Sequence, residues 1–122
     1  MKIRKIPESE LEVMKVIWNK NSFISSKEIA LIMEEKMNWK RTTTLTLLSR
    51  LAEKGFIDVE KGKKITYYMA IITEEEYVGV ETSSFFSKLH KNSLKSFITT
   101  LHDNNDITEK DLDELKEWIK NR

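Results

Sequence analysis

The chain of 122 residues contains no cysteine, one proline and three glycines. Without cysteine it can form no disulfide, no thiolate nucleophile and no cysteine-ligated zinc or copper site. Its two histidines, His90 and His102, cannot by themselves make a metal cage. These absences exclude most cofactor chemistry, and we expect neither a cofactor nor a metal site.

Long apolar runs are also missing. The longest spans residues 67–72, which is six residues, whereas a membrane-spanning helix needs roughly 20. The first seven residues, MKIRKIP, lack the apolar stretch of a signal peptide. We therefore expect a cytoplasmic protein that does not insert directly into a membrane.

Charge is abundant, at 34% of the residues, but the two signs are unevenly distributed. Residues 1–72 carry 14 lysines and arginines against 9 acidic residues, whereas residues 73–122 carry 7 against 11. The hydrophobic share of 39% suffices for the core of one domain or of two small ones. The basic half is a candidate for binding a polyanion.

Three helical patterns precede a change of period near residue 56. Apolar residues recur at three- and four-residue steps in residues 8–18 and 26–37, and a third pattern runs from about 40 to 54 and ends at Gly55. Residues 56–60 and 65–69 read as strands around a lysine-rich tip at 61–64. This order predicts a winged helix in residues 1–72, whose third helix enters the major groove of DNA.

Residues 73–122 read as three further helices, so the predicted fold class is mainly α with a small β-hairpin (α+β). A helical piece this small that displays several large apolar side chains is expected to bury them against a second copy of itself. The alternative is that these helices fold back on the first 72 residues as one monomeric domain. The predicted dimerisation residues are Tyr77, Phe85, Phe86, Leu94, Phe97, Ile98, Leu101, Leu115, Trp118 and Ile119.

The third helix separates an apolar face from a small hydroxylic one. At about 100° per residue, one arc holds Thr44, Leu47, Leu48 and Leu51, and the opposite side holds Thr42, Thr46 and Ser49. Thr43 and Arg50 lie on the border toward this outer side. A solvated helix face usually carries glutamate, lysine and glutamine, because threonine is a poor helix former. Short hydroxylic side chains instead favour close contact with a groove, although a plain solvated surface is the competing interpretation.

Basic residues flank this face on two sides. Lys40 and Arg41 lie at the helix N-terminus, where cations are disfavoured unless they meet an anion such as phosphate. A lysine-rich hairpin tip can clamp the DNA backbone, although such turns also serve solubility. The predicted DNA-binding residues are Lys40, Arg41, Thr42, Thr43, Thr46, Arg50, Lys61, Lys63 and Lys64.

Motifs of catalysis are missing as well. The sequence has no HExxH, no GxSxG and no glycine-rich phosphate loop, and its acidic runs lie on predicted helix surfaces or caps. We therefore predict that the protein is not an enzyme.

The segment WKRTTTLTLLSRLAEKG, residues 39–55, resembles the recognition-helix signature of the BlaI/MecI family of penicillinase and methicillin-resistance repressors. That signature is roughly W-x-x-x-T-[VI]-x-T-L-L-x-R-L-x-x-K-G. Residues 10–18, ELEVMKVIW, are similar to the family's first helix, and Tyr67-Tyr68 is similar to the end of its wing.

The resemblance implies a homodimeric winged-helix repressor of β-lactamase or related resistance genes, binding an inverted repeat with TACA/TGTA-type half-sites. Thr43, Thr46 and Arg50 match family positions that face bases or phosphates. Thr42 stands where members often carry lysine, and Thr44 where valine or isoleucine is usual.

The resemblance also implies inactivation by cleavage in the dimerisation domain, triggered by a membrane-spanning sensor with a metalloprotease domain. The corresponding bond is Thr100-Leu101, where well-known members have Asn-Phe. Two alternatives remain at this stage. One is a winged-helix repressor released by a small ligand or metal, and the other is a dimeric adaptor that binds protein rather than DNA.

Overall fold

The computed structural model describes residues 3–122, so residues 1 and 2 of the amino-terminal segment discussed above lie outside it. Six helices and three short strands follow one another in that range, which is the mainly α architecture predicted. The elements are α1 (Glu8–Lys20), β1 (Ile24–Ser25), α2 (Ser26–Met37), α3 (Arg41–Glu53), β2 (Ile57–Lys61), β3 (Thr66–Ala70), α4 (Glu74–His90), α5 (Leu94–Asp103) and α6 (Glu109–Lys120). No helix in this described range is long and apolar enough to span a membrane.

The three strands form one antiparallel sheet in the order β1-β3-β2. The hairpin predicted from the sequence is confirmed, with β2 and β3 each one residue later than expected, and Lys61 pairs with Thr66 at its tip. β1 was not predicted, because it is only two residues long and gains its pairing from β3, through Ile24 with Tyr68. The wing is therefore attached to the segment between α1 and α2.

Local sequence signals set the ends of α3 and of the hairpin. Gly55 follows the C-cap residue Lys54 and adopts the left-handed backbone conformation, with a φ of 83°. Gly55 N–H donates to Ala52 O over 3.1 Å and Phe56 N–H to Leu51 O over 3.0 Å, the paired bonds of a Schellman motif. In the hairpin turn, a Cβ at Gly62 would lie 2.8 Å from the Ile65 carbonyl oxygen, so glycine is required there.

Serine and threonine side chains cap the starts of several helices. Ser25 Oγ accepts the backbone N–H of Glu28 at the start of α2. Thr73 and Glu76 form a reciprocal capping box at α4, and Thr108 does the same with Asp111 at α6. These bonds satisfy N–H groups that the first turn of a helix leaves without partners.

The chain divides into two compact units, Met1–Val80 and Glu81–Arg122. The division falls inside α4 rather than at the 72/73 boundary expected from the sequence. The first unit contains a continuous apolar core built from α1, α2, α3, the sheet and the beginning of α4. Its buried members include Val13, Met14, Ile17, Ile29, Met33, Leu47, Leu48, Leu51, Phe56, Ile57, Tyr68 and Ile72.

Tyr77 corrects one expectation. We assigned it to dimerisation, but its side chain is only 5% exposed and belongs to the core of the first unit. Its hydroxyl accepts the backbone N–H of Ile6 over 2.9 Å, and its ring lies 5.8 Å from that of Trp18. The ring is therefore occupied within one chain, because the first turns of α4 pack on the winged-helix unit.

The second unit, Glu81–Arg122, is held by aromatic contacts but contains no buried side chain. The ring of Phe97 on α5 lies 6.1 Å from the rings of both Phe85 and Phe86 on α4. His90 Nδ1 lies 2.9 Å from Ser96 Oγ, which further ties α4 to α5. Several large apolar side chains of this unit remain exposed in the single chain: Phe85, Leu89, Leu94, Trp118 and Ile119.

Candidate nucleic-acid interface

Helix α3 has the two faces that its periodicity predicts. Thr44, Leu47, Leu48 and Leu51 are buried, which confirms the expected inner arc. The outer side is exposed and combines short hydroxylic side chains with basic ones: Arg41, Thr42, Thr43, Thr46, Ser49 and Arg50. The outer side is slim enough for close approach to a groove, because threonine and serine project only a short distance from the helix.

The N-terminus of α3 is open to an anion. The N-cap Lys40 is extended and its side chain does not cap the helix, and the first turn holds no acidic residue. The first backbone N–H groups of a helix point outward and carry a partial positive charge. With Lys40 and Arg41 beside them, these groups form the kind of site that binds phosphate.

Thr46 has one local bond on this face. Its Oγ1 donates to the carbonyl oxygen of Thr42 over 2.9 Å, which fixes the hydroxyl proton within the helix. The lone pairs and the methyl group of Thr46 remain available. The lone pairs can accept a hydrogen bond from a donor on a base edge, and the methyl group can pack against the methyl group of thymine.

The cations of the predicted interface have no acidic partner within residues 3–122. None of the following forms an ion pair with the residues that the structure describes: Lys40, Arg41, Arg50, Lys61, Lys63 and Lys64. By contrast, Lys15, Lys20 and Lys54 lie within 4 Å of a carboxylate, at 3.2, 3.7 and 2.8 Å. These six cations lie at or near α3 and the hairpin tip. Acidic partners there would compete with a polyanion for the same cations.

A positioning contact that we did not anticipate holds the end of α3. Lys54 Nζ lies 2.8 Å from Glu10 Oε1 on α1, and the Glu10 side chain is 4% exposed. The pair bridges 44 positions of sequence and fixes the C-terminal end of α3 against α1. Lys54 matches the lysine of the family signature quoted above, which was the only sequence signal for it.

The wing is anchored from its inner side. Tyr68 on β3 is 9% exposed and pairs with Ile24 of β1 and Val59 of β2. Burial raises the pKa of the Tyr68 phenol above its usual value. The lysines at the hairpin tip are thus carried on a strand that is fixed to the core.

The expected sites fall into separate groups along the fold. The predicted DNA-binding residues lie on α3 and the hairpin, within the first unit. Apart from Tyr77, the predicted dimerisation residues lie in the second unit, half-buried or exposed. Thr100 and Leu101 lie within α5. Among the described residues no group of three or more histidines and carboxylates could hold a metal ion.

Comparison with known sequences shows which family this chain matches. The profile of the family described as penicillinase repressor matches residues 6–121. This chain belongs to the penicillinase repressor family. The penicillinase repressor of Bacillus licheniformis is 32% identical over 98% of this chain and 92% of its own length. The methicillin resistance regulatory protein MecI of Staphylococcus aureus is 28% identical over 99% of this chain and 98% of its own.

Solved structures of BlaI resemble part of this chain. The solution structure of the DNA-binding domain of the repressor BlaI matches with a TM-score of 0.56 and 38% identity, covering 62% of this chain and 92% of the other. The Bacillus licheniformis BlaI monomeric form, in complex with the blaP half-operator, matches with a TM-score of 0.54 and 37% identity over the same shares. The fold is therefore the winged helix expected, and the family is one of transcriptional repressors rather than enzymes.

Proposed function

We propose that the protein is a sequence-specific DNA-binding repressor that acts in the cytoplasm as a homodimer on an inverted-repeat operator. The observation that carries the proposal is the exposed face of α3, slim and hydroxylic, flanked by cations that have no acidic partner in the described chain. The relatives named penicillinase repressor and MecI support control of penicillinase or related resistance genes.

The proposed DNA-binding side chains make two kinds of contact. Thr43, Thr46 and Arg50 lie along the exposed face of α3, where base edges are within reach when the helix enters the major groove. Lys40 and Arg41 bind phosphates at the helix N-terminus, and the lysines of the hairpin tip bind the backbone beside it. The first group selects the sequence, and the second supplies affinity that depends on salt.

Dimerisation follows from the weak core of the second unit. Domains near 40 residues seldom fold alone without a staple or a partner, and the unit Glu81–Arg122 has no buried side chain by itself. A second copy would cover Trp118 and Ile119, which are 58% and 55% exposed. Two linked α3 helices then bind two half-sites, and the second contact gains from a high effective concentration.

Cleavage at Thr100-Leu101 would release the operator by destroying this dimer. The bond lies inside α5. The Thr100 carbonyl oxygen accepts two hydrogen bonds from Asn104, one from the backbone N–H over 3.1 Å and one from the side-chain amide over 3.0 Å. The Leu101 carbonyl oxygen accepts the N–H of Asp106 over 2.8 Å. A protease partner can act only after α5 opens locally, because these bonds hold the backbone helical.

Fluorescence anisotropy with two duplexes tests the DNA proposal. One carries the inverted TACA/TGTA repeat and the other a scrambled sequence, each titrated at several salt concentrations. We expect affinity that falls steeply with salt and favours the repeat by about 10³ or more. Equal binding to both duplexes would refute sequence-specific repression, and no salt-dependent binding to either would favour the protein-binding adaptor.

Substitutions separate the two kinds of contact in the same assay. Thr46→Ala and Arg50→Ala should each reduce the discrimination by about 1 to 3 kcal/mol. Lys63→Ala should weaken both duplexes alike and lower the salt slope by about one. The matched control Lys110→Ala removes an exposed cation from the second unit and should change neither quantity.

Sedimentation equilibrium tests the dimer separately. Trp118→Ala should weaken the dimer by about tenfold or more and weaken operator binding in parallel, because a central aromatic residue dominates many interfaces. Its ring contacts Arg122 at 4.7 Å and is otherwise largely exposed, so the fold of the chain does not depend on it. Lys116→Ala on the same helix is the control. A wild-type chain that stays monomeric at all concentrations would contradict the proposal.

A further inference from the structure

The first unit contains a cavity that the DNA interface does not use. Its volume is about 330 Å³, and it lies between the C-terminal end of α1, the second half of β3 and the first turn of α4. Ile17, Trp18 and Ala70 contribute to its apolar lining. This volume is at the lower end of the range for small-molecule sites in proteins.

The aromatic wall is fixed in place. Trp18 Nε1–H donates to the carbonyl oxygen of Ile72 over 2.8 Å, and its ring lies 5.8 Å from that of Tyr77. Because the indole donor is already satisfied, the ring offers a ligand apolar and π surface only.

Every charged side chain that lines the cavity, among the described residues, is a carboxylate. Glu74 and Glu75 belong to the lining, and their carboxylates form no hydrogen bond or ion pair with the described chain. Glu76, by contrast, is engaged in the capping box of α4.

We propose that this cavity binds a small aromatic organic cation, whose ring packs on Trp18 and whose charge faces Glu74 and Glu75. Cation–π attraction to tryptophan and the two carboxylates act together on such a ligand. The positive end of the α4 dipole opposes a cation, but it amounts to about half a unit charge and the two carboxylates exceed it. An anion of the same size meets only repulsion from these carboxylates.

Two-dimensional ¹H-¹⁵N NMR with benzyltrimethylammonium and benzenesulfonate as probes tests the site on the full chain. The cation should shift the indole N–H signal of Trp18 and the backbone signals of Met69 and Glu74 in a saturable manner, and the sulfonate should not. Signal shifts of equal size with both probes, or shifts confined to other residues, would overturn the proposal.

A charge-matched pair of variants isolates the carboxylates. Glu74→Gln with Glu75→Gln should weaken binding of the cation about tenfold, because each exposed carboxylate contributes on the order of a few-fold. The control, Glu34→Gln with Glu35→Gln on the exposed side of α2, removes the same net charge elsewhere and should leave the affinity unchanged. Equal affinity in both double variants would refute the assignment, and the same spectra verify that each variant is folded.

Discussion

Thr44→Val should stabilise the first unit. Thr44 is 0% exposed on the inner face of α3, beside Leu47, Leu48 and Leu51. Its Oγ1 is buried and has no hydrogen-bond partner among the described residues. A buried hydroxyl without a partner costs about 1 to 3 kcal/mol, and valine replaces it with a methyl group of nearly the same size.

The expected gain follows from these terms. The backbone N–H of Thr44 bonds to Lys40 O over 3.3 Å and is unaffected by the substitution. Threonine and valine have similar helix propensities, so the backbone contributes little to the difference. Removal of the desolvation penalty should therefore raise the free energy of unfolding by about 1 to 2 kcal/mol.

Urea unfolding followed by tryptophan fluorescence measures the effect. Trp118 belongs to the second unit, so a Trp118→Phe background restricts the signal to Trp18 and Trp39 of the first. A gain of this size moves the midpoint to higher urea without changing the slope of the transition. Operator discrimination should stay unchanged, because Thr44 lies on the face away from the proposed contacts.

Two further substitutions sharpen the test. Thr44→Ser keeps the hydroxyl and removes the methyl group, so it should destabilise the unit by about 1 kcal/mol. Thr46→Val on the exposed face should change stability by no more than about 0.5 kcal/mol. A neutral or destabilising Thr44→Val would show that the hydroxyl finds a partner, and would refute the reasoning.

Two other predictions concern polar contacts. Lys54→Met leaves the Glu10 carboxylate, 4% exposed, without its ammonium partner and should destabilise the first unit by about 3 kcal/mol in the same urea assay. The double variant Glu10→Leu with Lys54→Met should recover most of that loss, and failure to recover would argue against an ion-pair origin. The Thr73 backbone N–H, and then its hydroxyl, hold the pKa of Glu76 below the usual 4.5. The cap is therefore strongest above pH 4.5 and is lost as the pH falls through the lower folded-state value. Carboxyl ¹³C NMR should give a Glu76 midpoint below 4.5 that moves upward in Thr73→Ala, and an unmoved midpoint would exclude the hydroxyl as a cause.

Much of the candidate interface follows from local sequence. The inner and outer faces of α3 were predictable because a period of 3.6 residues assigns each side chain to a face. Gly55 at the end of α3 and the serine and threonine caps were readable because each acts on a backbone within a few residues of itself. Both predicted strands of the hairpin began and ended one residue too early, because turn residues and alternation locate strand ends only approximately.

Contacts between segments that are distant in the sequence could not be predicted in the same way. No spacing pattern in the sequence marked Glu10, yet its side chain is buried and bonded to Lys54. Tyr77 looked like a surface aromatic residue of a separate helical piece, yet its hydroxyl bonds near the amino terminus of the chain. In both cases the partner lies tens of positions away, and no spacing rule connects the two.

The sequence by itself determined the order of the helices and the hairpin, the two faces of α3, its end at Gly55 and the basic tip of the wing, because these depend on interactions within a few residues. Only the tertiary structure decided which polar groups are satisfied: Glu10 gains a partner, whereas the Thr44 hydroxyl has none in the described chain. It also decided that Trp18 and Ala70 share a cavity with free carboxylates. The physical reason is that burial and hydrogen-bond satisfaction depend on every segment that packs around a group, and those segments meet only when the chain has folded.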